Sequence, residues 1–212
     1  MVLHIDWSYQ DQLIFLPIGI SFYTLSAIGY MADVYWGKVK AEYSLVKTAL
    51  FLGFFPVIVE GPICRWEDVE DTLFKNESVK AENVFKGCYR IIWGLFKKMI
   101  IADRLAVLVD KVYVGYESYS GAVIVAAAIS YTIQLYMEFS GCMDMVIGSA
   151  GLFGIHLPEN FSQPFFAKTC TDFWKRWHIT LGVWFKNYIF YPVSISKTAR
   201  KWNKFTRKHF KG

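Results

Sequence analysis

Residues 118–137 read SYSGAVIVAAAISYTIQLYM, twenty positions without a charged side chain. A helix of that length extends about 30 Å, the thickness of a bilayer's hydrocarbon core. A second uncharged run of the same length extends from Leu13 to Ala32. Shorter apolar runs, Thr48–Val59 and Met145–Ile155, fit tilted spans, re-entrant segments or buried core helices, and length does not choose among them. Composition agrees with lipid as the solvent: 54% of the 212 residues are hydrophobic and only 19% are charged, where about a quarter is usual in soluble domains. The runs predict an integral membrane protein, all-α, in which residues 1–212 form one membrane-embedded domain. Pro17, Pro56, Pro62 and Pro158, with glycines nearby, predict kinked and re-entrant helices in an irregular multispanning bundle. Such breaks need protein or a water-filled cavity around the freed backbone groups.

The polar stretches fill in the rest. Met1–Gln12 carries Asp6 and Asp11 and no basic residue, unlike the start of a cleavable signal. The region from Arg65 to Arg90, with acids nearly balanced by bases, predicts short helices in water. From Tyr89 to Val112 apolar residues recur at helical spacing (Ile92, Phe96, Leu105, Leu108, Val112) among Lys97, Lys98, Arg104 and Lys111. That pattern predicts a helix lying at the interface or entering the membrane at an angle. Cys64, Cys88, Cys142 and Cys170 lie far apart, with no zinc-like spacing, and read as packing residues without a disulfide or metal site.

Much of the net charge of +5 is local: Lys197 to Lys211 holds seven Lys or Arg and no acid, interleaved with Trp202, Phe205 and Phe210. Beside apolar spans this marks a cytoplasmic flank with aromatics at the headgroups, in contact with lipid and not with nucleic acid.

One segment stands out chemically: Asp172-Phe173-Trp174-Lys175-Arg176-Trp177-His178. A titratable imidazole is expensive to keep near lipid and is by default a functional hypothesis. Thr169-x-x-Asp172 predicts an N-cap, Asp172 and Arg176 an i, i+4 ion pair, and Pro192 the end of the helix. On such a helix Trp174, Leu181 and Gly182 share the face of His178, and Gly182 leaves space for a substrate. The bland alternative is a histidine in an interfacial aromatic belt. Glu138 and Asp144 flank Ser140-Gly141 and fit either a polar cavity or an interfacial turn between two helices. Arg65, beside Gly61-Pro62, fits either a phosphate contact of an acyl donor or a plain charged helix flank.

The ordered motifs resemble the membrane-bound O-acyltransferase family, in its alginate O-acetyltransferase-like branch. They are Leu16–Tyr23, Phe54-Phe55-Pro56, Gly61-Pro62-Ile63-Cys64-Arg65, Gly94–Lys98 with Ala102-Asp103, Phe139-Ser140-Gly141 with Asp144-Met145, Leu157–Phe161, and Phe173 to Trp184. Three positions depart from the family pattern: Glu138 for Asp, Cys142-Met143 for Tyr-Ser, and Lys186-Asn187 for Arg-Asp. The resemblance implies a multi-pass plasma-membrane enzyme that moves an acyl group, usually acetyl, from a cytoplasmic donor to a hydroxyl outside the membrane. The donor implied is acetyl-CoA or another acyl thioester, with no bound cofactor and no metal. The acceptor implied is an exported or cell-wall polysaccharide, reached with an extracytoplasmic partner protein. His178 is the implied catalytic base or acyl-orienting residue, with Trp174, Arg176, Trp177, Asn160, Asp144 and Arg65 as pocket candidates. The match also implies a central portion of the enzyme, incomplete at both ends and inactive alone. Two rival functions remain at this point: D-alanyl transfer toward teichoic acid, and a non-catalytic channel or scaffold.

Overall fold

A computed structural model describes residues 19–75 and 79–209. The first part of the Leu13–Ala32 run, with its Pro17, and the end of the basic run at Phe210 and Lys211 lie outside the described residues. Among the described residues the chain is helical, with one isolated antiparallel bridge and no strand. The helices are α1 (Ile20–Tyr35), α2 (Leu45–Leu52), α3 (Phe55–Ile58), α4 (Trp66–Leu73), α5 (Ala81–Leu95), α6 (Asp103–Val114), α7 (Gly121–Leu152), α8 (Cys170–Trp174), α9 (Ile179–Phe185), α10 (Tyr191–Ile195) and α11 (Lys197–His209). Wide π-turns at Phe96–Ala102 and Lys186–Phe190 join α5 to α6 and α9 to α10 without a break.

The Ser118–Met137 run lies almost wholly in α7, which continues for 32 residues through Glu138 and Asp144 to Leu152. At 1.5 Å per residue it extends about 48 Å, well beyond a hydrocarbon core. The Met145–Ile155 run is therefore mostly the second half of the same helix, and no turn interrupts it at Ser140-Gly141. The acids stay helical because each finds a cation on the neighbouring element: Asp144 meets Arg90 and Lys97, and Glu138 meets Lys98. α7 is the one described helix long and apolar enough to span, and only 6% of its apolar window is buried by the rest of the chain. A soluble core helix would be mostly covered. This one presents its apolar surface outward, as a helix facing lipid does.

Against α7 runs the α5–α6 rod, and their contact is built from missing side chains. A Cβ on Gly94 would lie 2.5 Å from the Gly141 carbonyl oxygen, and one on Gly87 would lie 2.8 Å from that of Gly148. The two glycine pairs share a seven-residue spacing, so the antiparallel helices touch backbone to backbone at two successive points. In the α5 half of the rod the expected apolar stripe points away from this seam, with Ile92 65% exposed and Phe96 exposed too, whereas along α6 Val109 and Val112 turn inward and are buried. In the α5 half glycines and cations take the inside face. The reversal follows from the solvent, because an apolar stripe facing lipid needs no protein cover.

A conventional core sits elsewhere. Trp66, at the start of α4, packs on Tyr30, Phe51 and Phe74 with ring centroids 4.9–5.2 Å apart. Cys64, Val69, Ile147, Ala150 and Leu157 complete the cluster. Cys64 is thus a packing residue as expected, whereas Cys88 and Cys170 are exposed. Pro56 breaks the Thr48–Val59 run into α2 and α3, as its ring requires. Pro62 and Pro158 instead occupy extended segments between helices. Pro192 does not end its helix. The π-turn before it accommodates the ring, and helical backbone continues to Ile195.

Candidate active site around Asn160 and His178

Two loop segments, 160–162 and 176–179, run antiparallel beside α7. Ser162 N–H donates to the Arg176 carbonyl and Ile179 N–H to the Asn160 carbonyl, each at 3.0 Å. Phe161 pairs with Trp177 across the bridge, their rings 5.1 Å apart. Each segment leaves the crossing through a left-handed residue, Gln163 at φ 48° and His178 at φ 46°. Side chains other than glycine adopt that region at a cost of about 1–3 kcal/mol and do so mostly at functional or clamped positions.

This crossing overturns the expected single helix through His178. Thr169 does cap α8 by accepting from Asp172 N–H at 3.0 Å, and Asp172 does pair with Arg176 at 3.0 Å. Yet α8 stops at Trp174 and α9 begins at Ile179. A continuous helix would send the Ile179 and Thr180 N–H groups to the carbonyls of Lys175 and Arg176. Here both donate to Asn160 instead, and the Arg176 carbonyl is taken by Ser162. Trp174 consequently leaves the face of His178 and is 61% exposed. A Cβ on Gly182 would meet only the Trp174 carbonyl oxygen, at 3.8 Å, so the space beside that glycine is real.

Asn160 is the hub. It is 1% exposed, and its Oδ1 accepts from Thr180 N–H (3.1 Å), from the Thr180 hydroxyl (3.0 Å) and from His178 Nδ1 (3.1 Å). A backbone amide can only donate, so the atom facing Thr180 is the amide oxygen. His178 Nδ1 must then carry the proton, which leaves Nε2 with a free lone pair. The other end of the amide donates to Met143 Sδ at 3.2 Å. Thr180 is itself oriented, because its hydroxyl oxygen accepts Ile63 N–H at 3.0 Å. The imidazole rests edge-on against Phe139, centroids 4.9 Å apart. Burial lowers its pKa from the ordinary 6.5, which keeps the ring neutral and so able to accept a proton.

Next to this hub lies a cavity of about 450 Å³ whose walls include Arg90, Lys97, Tyr136, Ser140, Asp144 and Asn160. Arg90 donates through Nε to Asp144 at 3.0 Å and through both terminal nitrogens to Glu159 at 2.5–2.6 Å. Lys97 reaches the other oxygen of Asp144 at 2.6 Å. Arg90 thus ties the residue preceding Asn160 to α7. His178 is not among the residues lining this cavity.

The candidates named from sequence divide accordingly. Asn160 and His178 are bonded, Trp177 supports them through the bridge, and Asp144 shares the cavity with Asn160. Arg176 is committed to Asp172 on a partly exposed face. Arg65 belongs to the start of α4, where Asp68 and Glu67 take its guanidinium. Thr180, Phe139, Arg90 and Lys97 were not among the candidates. The paired seven-residue glycine spacing was the one signal that could have brought Arg90 and Lys97 beside Asp144.

The profile of the MBOAT, membrane-bound O-acyltransferase, family matches residues 38–207. The chain is 40% identical over 177 residues to a probable alginate O-acetylase of Pseudomonas aeruginosa, covering 84% of this chain and 34% of that protein. It is 34% identical over 215 residues to a peptidoglycan O-acetyltransferase of Helicobacter pylori, covering 87% of this chain and 40% of the relative. A teichoic acid D-alanyltransferase of Bacillus subtilis is 30% identical over 193 residues, covering 88% and 48%. The chain therefore spans between about a third and a half of the length of these relatives.

Proposed function

Because the chain belongs to the membrane-bound O-acyltransferase family, we propose that it forms part of a multispanning cell-membrane enzyme that acetylates an exported or cell-wall polysaccharide. The donor is a cytoplasmic thioester, acetyl-CoA or another acyl carrier. An extracytoplasmic partner protein completes delivery to the polymer, and the basic segment Lys197–Lys211 faces the cytoplasm. The observation that carries the chemistry is the bond from His178 Nδ1–H to Asn160, because it leaves Nε2 unprotonated as a general base. Nε2 takes the proton of the acceptor hydroxyl as its oxygen attacks the thioester carbonyl. The new C–O bond replaces the C–S bond, and the proton passes on to the departing thiolate. Asn160 Oδ1, fixed by Thr180, holds the ring in place and stabilises the imidazolium while it exists.

The test uses the protein that carries this chain, expressed in its membrane. His178→Ala and His178→Gln should each abolish polymer acetylation with membrane abundance unchanged. Most activity surviving in the Gln variant would reduce His178 to a hydrogen-bonding residue and restore the aromatic-belt reading. The D-alanyl reading draws on the likeness to a teichoic acid D-alanyltransferase. Mild alkali separates the two, since the modified polymer releases acetate in one case and D-alanine in the other. A cysteine placed near Lys204 tests sidedness: it should resist membrane-impermeant thiol reagents in intact cells and react after lysis. A channel or scaffold gives no reason for an oriented imidazole and predicts that both His178 variants behave as wild type.

A further inference from the structure

We propose that the cavity beside Asn160 binds an uncharged, hydroxyl-rich group of about one sugar ring and disfavours a carboxylate. The inference rests on the acyltransferase reading for the identity of what enters, and on the cavity itself for its chemistry. At about 450 Å³ the space falls in the range of small-molecule sites. Its charges cancel: Arg90 and Lys97 face Asp144 and Glu159. All three guanidinium nitrogens of Arg90 are engaged, and Asp144 is shared between the two cations. A carboxylate entering here would be a third anion for two cations that Asp144 and Glu159 already balance, so its loss of water would be poorly offset. Hydroxyl groups both donate and accept, so they can join a closed ion-pair network without unbalancing it.

One further feature fits the same ligand. Tyr136 and Phe161 stand in the wall 5.7 Å apart at 77°, giving an aromatic surface for the C–H face of a sugar ring.

The experiment measures binding by titration calorimetry to the detergent-solubilised protein that carries this chain. The probes are neutral chitotetraose and tetramannuronate, which bears a carboxylate on every ring. The neutral glycan should bind at least about tenfold more tightly, the scale on which one unpaired charge discriminates. Ser162→Phe, an exposed position at the cavity wall, should abolish that binding. Removing one anion leaves the two cations in excess, so Asp144→Asn should shift preference toward tetramannuronate. Glu159→Gln, on a more exposed side chain, should do the same even if the Asp144 variant fails to fold. Equal or tighter binding of tetramannuronate by the unaltered protein overturns the proposal, as does no binding of chitotetraose or no shift in Glu159→Gln. Acetyl transfer is assayed on the same preparation. Glycan binding without transfer sinks the acyltransferase reading alone, and transfer without neutral-glycan binding sinks this inference alone.

Discussion

Along the α5–α7 seam, Gly87 and Gly94 meet Gly148 and Gly141 with nothing between the two backbones. At the loop crossing, by contrast, one amide oxygen on Asn160 collects three donors, and two residues accept left-handed backbone to bring them there. The seam is periodic, relaxed and spread over one heptad; the crossing is local, strained and concentrated on one side chain. The division is physical. A scaffold in lipid gains from close backbone approach, where small residues let van der Waals contact and interhelical ion pairs act. A site for proton transfer must instead fix one tautomer of one ring, which takes hydrogen bonds aimed at particular atoms. Arg90 joins the two regions, with one end on Asp144 of α7 and the other on Glu159 beside Asn160.

Breaking the seam should have the largest effect. Gly94→Val places a branched Cβ within 2.5 Å of the Gly141 carbonyl, where only separation of the helices can relieve it. The expected cost is at or above the upper end of the about 1–3 kcal/mol typical of overpacking, read as loss of the protein from membranes. Gly151→Ala is the control on the facing helix α7, since its Cβ would meet only the Gly87 Cα at 3.9 Å. Higher helix propensity should make it neutral or stabilising by about 0.5–1 kcal/mol. Equal abundance of the two variants would show that the glycine contacts do not hold the rod to α7.

The crossing should respond to pH through His178. Burial depresses the His178 pKa, so the unfolded chain binds the proton more readily than the folded one. The stability gained by keeping the ring neutral is full above the ordinary 6.5 and is lost as pH falls through the folded value. Activity should follow the same direction, with the acid limb of its pH–rate profile lying below 6.5. Asn160→Asp puts a carboxylate against Nδ1–H, favours the imidazolium, and should move that limb upward by about one unit or more. An unmoved limb would mean that His178 is not the titrating group.

These two regions were legible to different degrees. The helical rod of Tyr89–Val112 and the body of α7 follow from periodicity and from the absence of charge, signals that survive any tertiary context. What periodicity could not supply was which face pointed inward, because the usual rule assumes water outside and the stripe of Ile92 and Phe96 faces the other way. His178 stands out as an imidazole beside apolar segments and Asn160 through motif resemblance, but their bond joins positions eighteen residues apart across a loop. No spacing rule reaches that far. The false helix through His178 shows the reason: an N-cap at Thr169 and an ion pair at Asp172–Arg176 are valid local signals. They were overridden when Asn160 and Ser162 captured the hydrogen bonds the next turn needed. The same competition undid Pro192 as a stop, where a π-turn absorbed what a regular helix could not.

Backbone strain at the crossing predicts a smaller, opposite-signed effect. At φ 46° an alanine pays the left-handed penalty that a glycine does not. His178→Gly should therefore be about 1 kcal/mol more stable than His178→Ala, although both lose the Asn160 and Phe139 contacts and both should be inactive. Measured as thermal inactivation of membrane retention, the order Gly above Ala separates strain from chemistry at the same position. The reverse order would place residue 178 in ordinary helical backbone and revive the continuous helix.

The smallest effect belongs to the residues that share the motif but not the crossing. Arg176 is bonded to Asp172 on a partly exposed surface, and Trp174 presents most of its ring outward. An exposed i, i+4 ion pair is worth about 0.3–0.5 kcal/mol, so Arg176→Ala should change stability by no more than that. Its backbone carbonyl, which holds Ser162, survives the substitution. Activity should stay within about twofold of the unaltered protein, because 1.4 kcal/mol is needed for each factor of ten. Trp174→Ala should behave likewise if its ring meets only lipid or solvent. A tenfold loss in either variant, with abundance unchanged, would mean that this outer face touches the donor or a partner. The boundary of the site would then have to be redrawn to include α8. Within the segment from Asp172 to His178, the contacts to Phe161 and Asn160 come from the last two residues, Trp177 and His178, where the chain has already left the helix.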